Sequence, residues 1–393
     1  MYNQRVAYDS KYLDSHILGD DCCSVDSRLV AIAIKKNLVD SPDERKLQRV
    51  PVPVLGGVAV FFGIVLGITL TSSLIDCMSL MSIVAAMMIM LYAGTMDDMI
   101  NLPALQRLAV EIGVVVLLIF STHQSINDFH GLWDTYWFGP TIAVPLTIFA
   151  AVGIINAINL IDGVNGLSSG YCIMACLIFG TLFYLSNDVP MLMLAAVSLG
   201  SLLPFFFHNV FGEKSKMFIG DGGALVMGIV MSTFVVNILA SGSAVADYVT
   251  PSFGLIPFVL AVMSLPVIDT IRVMATRMFN RRSPFAPDKT HIHHLFIELG
   301  FSHSGTTIAI LSLNCLVVVA QLVAWYAGCS IELQLYIVIA LGATIDYGMN
   351  YIVNRLSQSN IIRRAMVAIG RATHFEDNSA FRLIREFVDR SVR

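Results

Sequence analysis

The stretch TIAVPLTIFAAVGIINAINLIDGVNGL, residues 141–167, joins a long apolar run to a cluster of polar side chains. A helix needs about 20 mainly apolar residues to cross the hydrocarbon core of a bilayer, and residues 141–160 supply them. Asn156, Asn159, Asp162 and Asn165 fall at the far end of this run, where polar groups need not lie at the centre of the membrane. The stretch therefore predicts a membrane-spanning helix whose polar end faces a ligand or a neighbouring helix.

The whole chain has the composition of a multispanning membrane protein. Of its 393 residues, 56% are hydrophobic and 13% are charged, whereas soluble proteins carry about 25% charged residues. Lipid requires every backbone polar group to be satisfied within its own segment, so we predict an all-α bundle of about ten transmembrane helices. The apolar runs cover residues 54–75, 78–95, 104–121, 141–160, 167–186, 191–211, 217–240, 253–274, 306–326 and 333–353.

The basic residues predict the orientation of these spans. All 24 Lys and Arg residues fall in the N-terminal segment, in or beside alternate connections, or in the tail after residue 353. Such an excess marks the cytoplasmic side of a membrane protein, and ten spans would place both termini there. The predicted domains are a polar N-terminal segment with a cytoplasmic loop (1–49), a transmembrane catalytic domain (50–353) and a basic cytoplasmic tail (354–393).

Four polar motifs are predicted to lie on the cytoplasmic face. Taken singly, each has an ordinary structural explanation, such as a solvated helix end, a glycine turn or a hydrogen bond between helices. Their convergence on one face favours a functional site. The motifs are DDMINLPALQR with Asp97 and Asp98, NAINLIDGVNGL, MFIGDGG with Asp221, and DKTHIHH with Lys289, His291, His293 and His294.

The residue types in these motifs indicate phosphoryl transfer. Magnesium takes oxygen ligands from one or two carboxylates and completes its shell with water and substrate phosphates. Basic side chains and histidines suit phosphate oxygens, and glycines beside Asp162 and Asp221 let the backbone approach a ligand closely. In phosphoryl transfer the protein mainly positions the reactants and neutralises charge, which this set could do.

The four motifs, with the basic loop LVDSPDERKLQRVPVPVLGG (38–57), resemble those of the polyprenyl-phosphate N-acetylhexosamine-1-phosphate transferases. The resemblance extends from about Leu38 to about Val353, and the HIHH form is similar to the branch that uses UDP-GlcNAc-like donors. Members of this family are multispanning enzymes that move a sugar 1-phosphate from a UDP-sugar to a lipid phosphate and release UMP, with magnesium. Departures are Asn165, where the family has a second aspartate, and the lack of an apolar span before the basic loop.

The resemblance implies roles for individual residues and partners for the protein. Asp97 and Asp98 would be catalytic, and Asp98 and Asp221 would bind magnesium, or manganese in its place. The implied partners are a UDP-N-acetylhexosamine, undecaprenyl phosphate and the inner membrane of a bacterium. No nucleic-acid partner is expected, and a homodimer is left open. The implied substrate-binding residues are Arg45, Lys46, Asn156, Asn159, Asp162, Asn165, Lys289, His291, His293 and His294.

Two other functions remain open from the sequence. Glu111 and Asp346 lie within apolar runs, and carboxylates inside spans often mark the ion path of a transporter. Asn165 and the absent first span are also compatible with an inactive relative. The basic tail is compatible with a helix on the surface of anionic lipid or with a plain solvated segment.

Overall fold

The computed structural model describes residues 39–40, 52–53, 55–72, 78–284 and 290–390. Most of these residues are helical, which confirms the all-α prediction, and they include one antiparallel pair of two-residue strands, β1 (Val39–Asp40) and β2 (Val52–Pro53). The helices are α1 (Gly56–Thr71), α2 (Met78–Ile100), α3 (Ala104–Thr122), α4 (Pro140–Leu160), α5 (Leu167–Leu185), α6 (Val189–Phe211), α7 (Gly220–Leu239), α8 (Ala244–Tyr248), α9 (Leu255–Val262), α10 (Ser264–Phe279), α11 (Ile292–Glu298), α12 (His303–Tyr326), α13 (Ile331–Asn354), α14 (Ile361–Ala372) and α15 (Ser379–Arg390).

Within those ranges, eight helices are long and apolar enough to cross a membrane, namely α2 to α7, α12 and α13. Helices α9 and α10 form a bent pair that would count as a ninth span. Helix α1 is apolar but has 16 residues, which corresponds to about 24 Å of helix. These elements coincide with the ten predicted runs and confirm a multispanning bundle, while the number ten and the cytoplasmic termini stay predictions.

Helix α7 forms the centre of the bundle. From Gly222 to Leu239, every residue of this helix except Val236 is buried. The helix is apolar on all faces, so it requires protein or lipid on every side, and here α1, α2 and α4 surround it. Glycines allow the close approach, because Gly57 lies against Gly223 and Gly228 lies against Ile155.

The predicted span over residues 253–274 is broken. Helices α9 and α10 meet at Met263 with a bend of 77°. Proline has no N–H group, so Pro266 cannot donate to the carbonyl of Val262 four residues earlier, and the helix cannot continue straight. The Val262 carbonyl instead accepts hydrogen bonds from the Tyr171 hydroxyl and from Asn314 Nδ2, the latter at 3.0 Å. Side chains of α5 and α12 therefore supply the hydrogen bonds that the Val262 carbonyl lacks at the break.

The tail forms two helices that pack on the bundle with one face each. In α15, Phe381 and Val388 are buried, and the ring of Phe381 lies 4.7 Å from that of Phe211 at the end of α6. In α14, Arg363 donates to the carbonyls of Val353 and Leu356 at 3.0 and 2.8 Å, which ties this helix to the end of α13. The tail is thus attached to the end of the bundle where α6 and α13 finish.

Candidate functional site

Two aspartates meet where α2 ends and α7 begins. The Asp98 carboxylate accepts hydrogen bonds from the backbone N–H of Asp221 at 3.2 Å and of Gly222 at 3.5 Å. This contact depends on Gly94, one turn before Asp98, since a Cβ there would lie 2.5 Å from the Gly222 Cα. The first turn of a helix has free N–H groups and a partial positive charge, so it favours the carboxylate of Asp98.

A third carboxylate, Asp162, lies nearby in the turn between α4 and α5. Burial raises the pKa of Asp162 to about 8, the hydroxyl of Ser168 donates to it and opposes this rise, and the charges of Asp221 and Asp98 add to it. The three carboxylates are therefore close enough to repel one another. A divalent cation between them would relieve this repulsion.

The chemistry of these carboxylates fits magnesium. In the part of the chain that the structure describes, no group of three or more His, Cys, Asp or Glu residues is arranged to hold a metal ion alone. Magnesium does not require such a cage, because it is usually bound through one or two carboxylates together with water and substrate phosphates. Asp98 and Asp221 supply oxygen ligands of that kind.

Asp97 belongs to a separate buried network. Its carboxylate accepts from the backbone N–H of Leu102 at 2.7 Å and from Arg107 at 3.1 Å. Arg107 also contacts Glu111 at 3.4 Å and the Asn156 side-chain oxygen at 3.4 Å, and the Asn156 amide donates to Glu111. Asp97 is thereby held in one orientation, and Asn156 uses its amide within the protein. Glu111, which suggested an ion path, has a positively charged partner.

The histidine motif packs directly on the turn that contains Asp162. A Cβ on Gly163 would collide with Nε2 of His293, so glycine is needed there for the ring to fit. Burial, with the charge of His294 as a second cause, lowers the pKa of His293 to about 3, so its ring is neutral. The rings of His291 and His293 are stacked, with their centroids 5.9 Å apart. The structure therefore joins two motifs that are far apart in the sequence.

A buried ion cluster fixes the histidine motif in place. Asp269 accepts from Nδ1 of His291 at 2.8 Å, from the Ile292 backbone at 2.9 Å and from Arg272 at 2.6 Å. Arg272 also donates to Asp346 at 2.6 Å. Asp346, the other carboxylate that suggested a transporter, is thus a partner of Arg272.

Arg272, Asp269 and Arg107 were not among the predicted site residues. The available signal was an acid–base pair at spacing i, i+3, Asp269 and Arg272, in a run that is otherwise apolar. Such a pair lies on one face of a helix and costs too much to bury without a function or a further partner.

Three buried polar atoms near the site have no hydrogen-bond partner among the described residues. They are Oδ1 of Asn159, Nε2 of His291 and Nδ1 of His293. Buried polar atoms nearly always have a partner, so these atoms are suited to the polar groups of a ligand. Asn165 lies at the edge of this region, where its backbone N–H donates to His303 at 3.4 Å and its carbonyl accepts from Thr307 at 2.9 Å.

Three predicted binding residues lie outside the residues that the structure describes. They are Arg45 and Lys46 of the basic loop and Lys289 before the histidine motif. The remaining predicted residues are at one end of the bundle, on the ends of α2, α4 and α7, in the turn after α4, and on α11 with the residue before it. Their roles as ligands of substrate or metal stay predictions.

The sequence is similar to known transferases over most of its length. The profile of the family described as glycosyl transferase family 4 matches residues 80–239. A Bacillus subtilis (strain 168) protein, described as a probable undecaprenyl-phosphate N-acetylglucosaminyl 1-phosphate transferase, is 31% identical over 79% of this chain and 83% of its own length. The Salmonella typhi undecaprenyl-phosphate alpha-N-acetylglucosaminyl 1-phosphate transferase is 30% identical, over 69% of this chain and 72% of its own. The Escherichia coli (strain K12) protein of the same description is 27% identical over the same shares.

The family profile covers three of the four motifs, those with Asp97, Asp162 and Asp221, and all four motifs lie at one end of the bundle. The identity to the Bacillus subtilis protein, over four fifths of that protein's length, carries the assignment. Together with the family profile, it shows that this chain belongs to glycosyl transferase family 4, with the undecaprenyl-phosphate N-acetylglucosaminyl 1-phosphate transferases among its relatives.

Proposed function

We propose that this protein transfers an N-acetylhexosamine 1-phosphate, with GlcNAc 1-phosphate as the first expectation, from a UDP-sugar to undecaprenyl phosphate. UMP is the second product. The observation that carries the proposal is the contact of the Asp98 carboxylate with the first turn of α7 at Asp221, at one end of a membrane bundle. The descriptions of the relatives as undecaprenyl-phosphate N-acetylglucosaminyl 1-phosphate transferases support the acceptor and the sugar. The reaction would be the first membrane step of a cell-surface glycan, such as the O-antigen of lipopolysaccharide or a cell-wall polymer.

In this reaction an oxygen of the lipid phosphate attacks the phosphorus that carries the sugar. The bond between the two phosphates of the donor breaks, and UMP leaves. A phosphate monoester has a second pKa of about 6, so the acceptor is largely ionised near neutral pH and needs orientation more than deprotonation. Asp97 accepts from Arg107 and from Leu102, so it is better suited to orienting the acceptor, together with Arg107, than to removing a proton.

Asp98 and Asp221 would hold magnesium, or manganese in its place. The bound ion would supply charge neutralisation for two anionic phosphates that otherwise repel each other. Without substrate, the two carboxylates form an incomplete ligand set, and the phosphates of the donor would complete it. We therefore expect magnesium and the UDP-sugar to strengthen each other's binding.

The polar residues around the carboxylates would bind the rest of the donor. Asn159 lies near the end of α4, and Asp162 lies in the turn after it. His293 packs on that turn at Gly163, His291 stacks on His293, and each ring has a buried nitrogen with no hydrogen-bond partner among the described residues. These groups can hydrogen-bond the hydroxyl and acetamido groups of a sugar or the uracil ring. Basic and further polar contacts would come from Arg45, Lys46, Asn156, Asn165, Lys289 and His294.

The site would open to the cytoplasm of a bacterial cell, at its inner membrane. The distribution of Lys and Arg supports this orientation, because the connections on the motif side of the bundle carry them. The polyprenyl chain would lie between spans that are open to lipid, and its phosphate would reach the carboxylates at their ends.

A donor panel tests the proposed function directly. Purified protein in detergent receives undecaprenyl phosphate, magnesium and one of several UDP-sugars, and UMP release and the mass of the lipid product are measured. We expect an N-acetylhexosamine donor to yield UMP and a lipid heavier by one sugar phosphate. Failure of every N-acetylhexosamine donor would refute the proposal. Accumulation of labelled substrate in vesicles without UMP would favour a transporter.

Substitution of Asp98→Asn tests the role of the carboxylates. The amide keeps the size of the side chain but removes the charge that would hold a divalent ion, so we expect turnover to fall by about 10²-fold or more. Asp134→Asn is a matched control, because Asp134 is exposed in the connection between α3 and α4. UMP release is the measurement, and equal turnover in the two variants would remove Asp98 from the mechanism.

A further inference from the structure

The last helix of the tail contacts the loop that leads into the carboxylate site. Residues 212–219 connect α6 to α7, and Asp221 is the second residue of α7. One oxygen of Asp389 in α15 accepts from the backbone N–H groups of Glu213, Lys214 and Ser215, at 3.2, 3.2 and 3.1 Å. The Ser215 hydroxyl donates to the same oxygen at 2.8 Å. Four donors of the loop thus converge on one carboxylate of the tail.

Successive backbone N–H groups that point at one place form a concavity that favours anions. Asp389 supplies the anion for this one. Burial raises the pKa of Asp389, but the hydrogen bonds from Ser215, Glu213 and Lys214 outweigh burial and hold it below its ordinary value. The carboxylate is therefore charged at neutral pH, and the contact is a set of charge-assisted hydrogen bonds.

The rest of the loop is held from the opposite side by the membrane bundle. Asn209 donates to the carbonyl of Met217 at 2.8 Å, and the Gly56 N–H donates to the carbonyl of Phe218 at 3.0 Å. These contacts use carbonyl groups in the second half of the loop. The N–H groups of residues 213–215 have Asp389 as the acceptor that the structure shows. The tail and the bundle therefore hold the loop between them.

Further contacts position α15 for this role. Phe381 packs on Phe211, the last residue of α6, and Arg385 lies 3.4 Å from the carboxylate of Glu213. The turn before α15 is attached to the start of α12, because Ser302 donates to the Thr373 carbonyl at 2.6 Å. The tail is fixed at both ends of the 373–389 segment, and Asp389 is presented to the loop at a defined place.

We propose that Asp389 is a positioning residue of the transferase, which holds the 212–219 loop so that Asp221 stays opposite Asp98. This inference rests on the proposed function. It assigns a role in catalysis to the tail, which lies beyond the residues that the family profile matches. A shift of about 1 Å at a reacting group can cost about 10²-fold in rate. The 212–219 loop would keep its contacts with the bundle when Asp389 is removed. We therefore expect the rate to fall by less than about 10²-fold.

Three variants test the role of Asp389. Asp389→Ala removes the acceptor, Asp389→Asn keeps an accepting oxygen without the charge, and Glu386→Ala removes an equal charge from an exposed position of the same helix. We expect Asp389→Ala to lower kcat about 10-fold and to raise several-fold the magnesium concentration for half-maximal rate. Asp389→Asn should regain most of the rate, and Glu386→Ala should match the wild type. The thermal midpoint of the bundle should be similar in all four proteins.

Hydrogen exchange of the 212–219 peptide in the full-length protein separates this inference from the proposed function. We expect Asp389→Ala to exchange faster than wild type at residues 213–215, whether or not the protein turns over a given donor. Unchanged exchange would show that Asp389 is not an anchor and would overturn the inference. If Asp389→Ala exchanged faster but had the same kcat and magnesium dependence as Glu386→Ala, the positioning role would be overturned. If the wild type released no UMP, the proposed function and the catalytic role would fall together, and exchange would still test the anchor.

Discussion

At the scale of single residues, buried charge is the dominant feature of this protein. Arg272 lies between Asp269 and Asp346, and Arg107 lies between Asp97 and Glu111. Removing two charges from water costs several kcal/mol for each ion, and close pairing with added hydrogen bonds offsets this cost. Each arginine also joins segments that are distant in the sequence. The pairs therefore select one arrangement of the helices beside the site.

The substitution Asp269→Ala should be strongly destabilising. It leaves Arg272 with one carboxylate partner in a buried position and removes the acceptor of His291 and Ile292, and breaking a buried pair costs about 3–5 kcal/mol. We expect a clearly lower midpoint of thermal unfolding in detergent. Glu298→Ala is the control, since this glutamate has a side chain that is 58% exposed and lies 3.9 Å from Arg363. An exposed pair contributes about 1 kcal/mol at most, so similar midpoints for the two variants would contradict the assignment.

At the scale of helices, small residues determine how closely the spans approach the central helix. The crossing of α2 and α7 at Gly94 and Gly222 allows Asp98 to reach the first turn of α7. Without a hydrophobic driving force between spans in lipid, such close van der Waals contact is a main source of association. The same contact sets both the stability of the bundle and the geometry of the carboxylates.

Gly94→Ala should separate α2 from α7. The added Cβ would lie 2.5 Å from both Cα and N of Gly222 and 2.7 Å from the backbone carbon of Asp221, so the backbone itself must move. We expect lower UMP release, by about 10-fold or more if Asp98 shifts by as much as 1 Å, and a lower thermal midpoint.

Gly113→Ala is the matched control for that change, because nothing lies within 4 Å of a Cβ at this helical glycine. Alanine is also the better helix former. We therefore expect wild-type activity and equal or greater stability in this variant. Loss of activity in Gly113→Ala, or wild-type behaviour in Gly94→Ala, would show that the crossing does not control the site.

At the scale of the whole molecule, the ten apolar elements make a topological prediction. An even number of crossings would place both termini on the same side, and the Lys and Arg residues predict that this side, with the tail and all four motifs, is the cytoplasmic one. Reporter fusions test this in the cell. Green fluorescent protein after Arg393 should fluoresce, and alkaline phosphatase inserted near Asn187, between α5 and α6, should be active. Five candidate crossings follow Asn187, counting the bent pair once, so a fluorescent carboxyl terminus together with an inactive phosphatase would mean that the bent pair does not cross.

The helical bundle and the identity of the site motifs could be predicted from the sequence, since both depend on local features. Hydropathy over about 20 residues identifies a membrane-spanning helix whatever its position in the bundle. The positions of Asp98, Asp162 and Asp221 at the ends of those spans, and of His293 in a connection between two of them, follow from the same count. The break at Met263 was missed because the run of apolar residues continues through it, although Pro266 carries the physical reason.

Only the tertiary structure decided which polar groups face each other. Glu111 and Asp346 have the same sequence signature as the carboxylates of an ion path, and their arginine partners distinguish them; Asp346 and Arg272 are separated by 74 residues. The contact of Asp389 with residues 213–215 spans about 175 positions and has no local pattern. Composition and periodicity indicate whether a segment prefers lipid or water and whether it forms a helix. The partner of a buried charge depends on how distant segments pack, and packing is a property of the folded chain as a whole.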